Sequence, residues 1–210
     1  MKPFEELVNN ENSAFEILKE WLAGADTQNQ LLPASEENRR TLYKVQASTS
    51  SLLGALAYET GGILIDHGWL RILGSGSKGI PRTLVDLNHN DYGYLIFADD
   101  AAGGFYAVNQ GSLGKDIGNV YFLAPDYNEW DPLEIDLEVF VQLVLSEDID
   151  EFYEGLRWST WKTDIQNLKA NECFGFYPFL WTEQGDIEES QRKPMQVKEA
   201  FNLKIAPFAG

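Results

Sequence analysis

Two strand-like runs, Tyr94 to Ala98 and Phe105 to Val108, stand six residues apart in "YLIFADDAAGGFYAVN". A parallel neighbour needs a crossover of about a dozen residues or more, so this spacing admits an antiparallel hairpin and little else. A second hairpin follows. "NVYFLAP" runs into the turn "DYNE", and Trp130 to Leu133 forms the return strand. Leu137, Phe140, Val141, Val144 and Leu145 then recur at helical spacing. Two hairpins and an amphipathic helix commit the middle of the chain to an antiparallel or mixed sheet.

That commitment decides how to read an earlier motif. Gly74-Ser75-Gly76-Ser77-Lys78-Gly79 matches G-x-G-x-x-G, and an apolar run precedes it. A dinucleotide site needs a helix that starts inside the glycines and a parallel strand after it. Here Pro81 comes two residues after Gly79, and only "PRTLVDLNHN" is available for a helix before the hairpins begin. Lys78 is also misplaced for a P-loop. The stretch therefore reads as a flexible connector, with Pro81 opening a short helix.

The flanks supply helices. Ser13 and Glu16 form an S-x-x-E capping box ahead of Ala14, Ile17, Leu18, Trp21 and Leu22, and Gly24 ends the run. "DTQNQLLPAS" reads as a polar connector, and Ser35 as the cap of a second helix. Thr41 to Ala47 fits either the end of that helix or a short strand. "SSLLGALAYETGG" reads as a helix closed by two glycines. The β-rich run Ile63 to Leu73 is broken by a turn at Asp66-His67-Gly68. "IDEFYEGLRWSTWKTDIQNL" reads as one or two helices, "CFGFYPFLWTEQG" as a buried extended segment, and "EESQRKPMQVKEAF" as a polar loop and a short helix.

The expected fold is α+β: an antiparallel or mixed sheet with N-terminal helices, a helix after the hairpins, and an aromatic-rich C-terminal helical and irregular region. We expect one domain over residues 1–210. Its sheet core spans about 63–145, and the extension 146–210 packs on it, because Phe176, Phe179 and Trp181 would otherwise expose a large apolar patch.

The chain has 210 residues, 33 acidic against 16 basic, for a net charge of −17. Such a surface repels phosphate backbones and anionic lipid, so neither nucleic acid nor membrane is an expected partner. It favours encounter with a basic protein, or serves solubility alone. Cys173 is the single cysteine, and His67 and His89 are the two histidines. No disulfide, metal site or cofactor is expected, and a cytoplasmic location fits. The N-terminus has no apolar stretch of a signal peptide. Asp99-Asp100 ends a strand, where a carboxylate dyad could work; the plainer reading is turn formation ahead of Gly103-Gly104. Glu147, Asp148, Asp150, Glu151 and Glu154 read as a solvated helix start. We find no nucleophile elbow, zinc-protease helix or EF-hand loop.

The order "WLRILGSGS", "YLIFADDAAGGFYAVN", "VYFLAPDYNEWDPL" and then a helix resembles the SUKH superfamily, typified by bacterial toxin-immunity proteins and a yeast cell-wall regulator. Ala98, Asp99, Asp100, Gly103, Gly104, Phe105, Tyr106, Ala107, Asn109 and Trp130 carry the likeness. Over its whole length the chain also resembles a bacterial family of uncharacterised proteins, in "AYETGGILIDHGWLRILGSGS", "YEGLRW" and "YPFLW". The resemblance implies a non-catalytic binding protein, an immunity protein that occludes a basic toxin. Asp148, Asp150 and Glu151 are candidate partner contacts. The alternative is a small-ligand-binding protein or enzyme with a pocket near Arg71, Asp99 and Asp100.

Overall fold

The structure, a computed structural model, describes residues 1–9, 11–88 and 92–205. Seven strands form one sheet in strict chain order: β1 (Asn29–Pro33), β2 (Thr60–Ile65), β3 (Leu70–Leu73), β4 (Tyr94–Asp100), β5 (Phe105–Asn109), β6 (Asn119–Leu123) and β7 (Asp131–Asp136). Every neighbouring pair is antiparallel. The fold is thus α+β, with the hairpins where the spacing put them. The sheet begins earlier than the expected residue 63, because the polar "connector" contains β1. Asn29 to Pro33 pairs with β2 and forms an edge, where one face and one backbone side stay wet and a polar sequence suffices.

Helices α1 (Phe4–Leu7), α2 (Phe15–Ala23), α3 (Asn38–Val45) and α4 (Leu52–Glu59) precede or interleave the first strands. Thr41 to Val45 is helix, which resolves that ambiguity. Ser13 does not make a capping box: its Oγ accepts from the N–H of Phe15, 3.2 Å away, and helix α2 starts one residue later than expected. Ser35 likewise lies short of α3, whose cap position is Glu37. The two glycines after α4 do not close it. They lie inside β2, where Gly62 needs a φ of +119°. Helix α5 (Leu137–Leu145) follows the second hairpin and is capped by Asp136, whose Oδ1 accepts from the N–H of Val139.

The Gly-Ser stretch is a packed loop, which corrects the reading as a flexible connector. Ser75 is 1% exposed and donates its Oγ–H to the carbonyl of Thr60. A Cβ on Gly74 would fall 2.5 Å from Thr60 Oγ1 and 2.6 Å from the N of Gly62. Gly74 serves close approach to β2, while Gly76 packs near Thr83 and Gly79 near the Leu32 side chain. Over residues 81–88 the chain makes turns and one bridge, Gly74 to Thr83, in place of the expected helix; Thr83 N–H goes to Asp86 Oδ2 at 2.7 Å. The remainder of that expected helix, with His89, lies outside the described residues.

The C-terminal third breaks into α6 (Ile149–Phe152), α7 (Trp161–Asp164), a second antiparallel pair β8 (Glu172–Tyr177) and β9 (Gln191–Gln196), and α8 (Val197–Ile205). It covers both faces of the main sheet. On the first face Trp69 meets Tyr153, Trp158 and Trp161 at 5.0–5.5 Å, and Tyr106 stacks on Phe122 at 4.4 Å. On the second, Cys173, Val197, Ala200 and Phe201 bury Ile96, Phe105, Ala107 and Leu123. Both groups of aromatics are core, as is Phe176; Phe179 is not, being 36% exposed.

Candidate functional site

Strand alternation puts Asp99 and Asp100 on opposite faces. A register shift between Ile96 and Ala98 sets which is which. Asp99 looks toward β8. Directly across the ladder, Arg71 on β3 pairs with it, Nη2 to Oδ1 at 2.5 Å. Arg82, from the segment after the Gly-Ser loop, reaches the other oxygen at 2.6 Å. Each guanidinium also donates to main-chain carbonyls: Arg71 to Glu172 on β8 and Asp100 on β4, Arg82 to Ala170. Arg82 adds a bond to Asn171 Oδ1 at 2.7 Å. Burial lowers the pKa of Arg82, and the Asp99 charge opposes that. The cluster clamps β3 and β4 to the start of β8. Cys173 lies beside it, its thiol pushed up to about 12 by burial, so it is not a nucleophile at neutral pH.

Asp100 points to the first face. Its Oδ1 accepts from the N–H groups of Ala102 and Gly104, which shapes the Ala101–Gly104 turn. Its Oδ2 has no hydrogen-bond partner among the described residues. Burial pushes this carboxyl up to about 6, and the charge of Asp99 adds to the shift. Nearby, the Tyr106 and Tyr153 hydroxyls share a bond of 2.6 Å, and burial raises both phenols well above 10.

Of the three residues of the alternative reading, Arg71 and Asp99 come together, whereas the Asp100 side chain lies on the other face and only its carbonyl meets Arg71; all three are buried, at 4%, 1% and 0% exposure. The acidic cluster lies apart from them. Asp148, Asp150 and Glu151 are exposed at and inside α6. Asp150 gives one oxygen to Arg157 Nη1 at 2.7 Å, and Arg157 Nη2 holds Asp66 at 2.6 Å. The guanidinium is walled by the rings of Trp161, Tyr153 and Trp69, 4.3–5.0 Å away. It anchors a turn in which Asp66, His67 and Gly68 all have positive φ. Beside the turn an open cleft of about 440 Å3 carries Asp26, Asp66, Glu147 and Asp150, with His67 and Lys162. Arg82 and Arg157 were not singled out from the sequence. An arginine inside "IPRTLV" or between "YEGL" and "W" is the available signal: a lone cation in an apolar or aromatic setting needs a buried partner.

Among the described residues no group of three or more His, Cys, Asp or Glu could hold a metal ion, and no helix is long and apolar enough to cross a membrane. The buried charges are equal in number: Arg71, Arg82, Lys204 and the Arg157 side chain on one side, Asp66, Asp99, Asp100 and Glu172 on the other. The excess of acid is therefore a surface property. It is uneven. Residues 116–156 contain twelve Asp and Glu and no Lys or Arg, and they build β6, β7, α5 and α6.

The protein YbfG of Escherichia coli strain K12 is 42% identical over 209 residues, covering 97% of this chain and 96% of that protein. An uncharacterised protein of Haemophilus influenzae is 37% identical over 216 residues, covering 98% and 95%. The model of a family described as "Protein of unknown function DUF2625" matches residues 4–200, and the chain belongs to that bacterial family.

Proposed function

We propose that this chain is a non-catalytic, cytoplasmic binding protein that occludes a basic protein partner, in the manner of an immunity protein against a basic toxin. The observation that carries the reading is the segregation of charge. The interior is balanced, the net −17 is on the surface, and one continuous stretch of β6 to α6 is free of cations. Such a surface steers a basic partner over tens of Å at low salt. The SUKH-like order of strands supports the immunity role. The pocket reading has less support, because Arg71 and Asp99 are spent on each other and Asp100, on the opposite face, on the N–H groups of its own turn.

The test starts from the genes beside this one: the proposal expects one of them to encode a basic toxin-like protein, and its product is used. Co-expression restores growth, and the purified pair associates more slowly as salt rises from 0.01 to 0.15 M, where the Debye length falls from roughly 30 to 8 Å. Dissociation changes far less. Association rates flat in salt, with no protection of growth, refute the proposal.

A further inference from the structure

The Ala101–Gly104 turn is a seam between the main sheet and the C-terminal third. The carbonyl of Ala101 accepts the N–H of Phe174 on β8 at 2.8 Å, and the N–H of Ala101 goes back to the carbonyl of Trp69 at 2.8 Å. Gly103 lies against the same strand: a Cβ there would sit 3.5 Å from the carbonyl oxygen of Phe174 and 3.7 Å from Cys173 Sγ. Arg71 joins the same two parts, with Nη1 on the carbonyl of Glu172 at 2.6 Å and Nη2 on that of Asp100 at 3.2 Å. Where this turn goes, the start of β8 follows.

One carboxyl shapes the turn. Asp100 Oδ1 accepts from the N–H of Ala102 at 3.0 Å and of Gly104 at 2.8 Å. The fit is close, for a Cβ on Gly104 would strike Oδ2 and the Phe122 ring. Asp100 is 0% exposed, and Oδ2 has no hydrogen-bond partner among the described residues. A neutral carboxyl suits this seat: Oδ1 still accepts both N–H groups, and only one hydroxyl is idle. An anion does not, because a buried charge with an idle oxygen is costly.

The surrounding groups leave that charge uncompensated. Asp99, on the same strand, opposes it; Arg71 favours it but is engaged by Asp99. Tyr106 on β5 and Tyr153 beyond α6 bond each other and are raised well above 10, and Arg157, whose charge reaches both, is held by Asp66 and Asp150. Cys173 on β8 is pushed up to about 12 by burial. Lys204 on α8 is lowered to about 8 by burial and donates to the carbonyls of Ala124, Pro125 and Tyr127. These tyrosines, the thiol and the lysine are centred above pH 7.5, whereas burial puts Asp100 at about 6.

We propose that Asp100 is a proton-operated latch on the C-terminal third: neutral, it keeps the Ala101–Gly104 turn seated on β8; ionised, it draws the turn out to water and frees the first residues of β8 from the sheet. The opening is local, leaves the β2–β3 ladder paired, and is independent of what the chain binds.

Amide hydrogen exchange of the full chain, read by two-dimensional NMR and corrected for the intrinsic pH dependence of exchange, tests it. A carboxyl at about 6 in the closed seam and at its ordinary 3.8 in the open one raises the opening constant about tenfold between pH 5 and 7.5. The amides of Ala102, Gly104 and Phe174 lose that much protection, and Asp100→Asn, which keeps the Oδ1 acceptor, removes the change. A local opening exposes little surface, so low guanidinium barely speeds exchange at these three amides while it speeds the β2–β3 ladder steeply. If the three amides accelerate in step with the ladder, the opening is global and the latch falls. It falls also if the pH effect persists in Asp100→Asn. Carbon-13 titration of the Asp100 carboxyl in the unaltered chain needs no variant: a midpoint near 6 is expected, and one near 3.8 overturns the latch.

Discussion

Asp99 and Asp100 are chain neighbours on opposite faces of one sheet, and the two faces treat them differently. On the second face Asp99 meets two guanidiniums at hydrogen-bond distance, and its charge is the reason Arg71 and Arg82 are tolerated at 4% and 5% exposure. On the first face Asp100 meets two N–H groups on one oxygen and none on the other, amid Tyr106 and Tyr153. One face holds opposite charges in contact; the other holds a carboxyl whose pKa burial raises to about 6. Burial alone therefore does not fix the ionisation of a carboxyl. The partners that the fold brings to it do.

The comparison can be broken most forcefully at Asp99. Asp99→Ala leaves two buried cations without a counter-ion, and the expected loss in denaturant-induced unfolding is about 3–5 kcal/mol. Replacing Arg71, Arg82 and Asp99 together by Met, Met and Leu restores much of it, because the desolvation cost goes as well. A triple variant as unstable as Asp99→Ala would show that the carbonyl clamps matter more than the charge.

Asp100 gives the next effect, through pH. Its pKa is about 6 in the folded chain against an ordinary 3.8. Between those values the native state binds the proton more than the unfolded state does. The contribution of Asp100 to stability is therefore fully present below pH 4 and is lost as pH rises through 6, by about 3 kcal/mol in total. Easing of surface repulsion in acid acts in the same direction, so the measurement is the difference from Asp100→Asn, which keeps an acceptor at the turn and has no proton to exchange. Parallel pH profiles for the two proteins would refute the assignment.

A smaller change sharpens the first face alone. Tyr106→Phe leaves the Tyr153 hydroxyl buried without its 2.6 Å partner, at an expected cost of about 1–2 kcal/mol in thermal or chemical unfolding. The smallest effect is expected outside both faces. Asp148→Asn with Glu151→Gln removes exposed charges and moves stability by less than about 0.5 kcal/mol. A larger loss would place that cluster in the fold and remove it from the set of free binding residues.

Much of the sheet was legible because its signals are local. Six residues between two apolar runs dictate a hairpin, and the heptad-like spacing after Asp136 dictates α5. One edge of the main sheet, β1, and the outer strand β9 were not legible, whereas the other edge, β7, was read from its hairpin. β1 and β9 are polar segments, with a proline in each, and an edge strand needs no apolar alternation to be held by its neighbour. The Asp pair was half legible. The turn-forming role holds for Asp100, whose bonds are within four residues. It fails for Asp99, whose partners lie 28 and 17 residues back along the chain. The acidic cluster was placed on the surface correctly, but its tie to Arg157 depends on a turn 91 residues away from that arginine.

The clamp between Arg71 and the carbonyl of Glu172 spans 101 residues, and this orders events during synthesis. When β1 to β7 have left the ribosome, Arg71 and Arg82 have their counter-ion but lack the carbonyls of residues 170–172, and the second face has no lid of Val197, Ala200 and Phe201. That hydrophobic sheet face stays open until α8 emerges, and a chain cut before α8 would present it to chaperones and proteases.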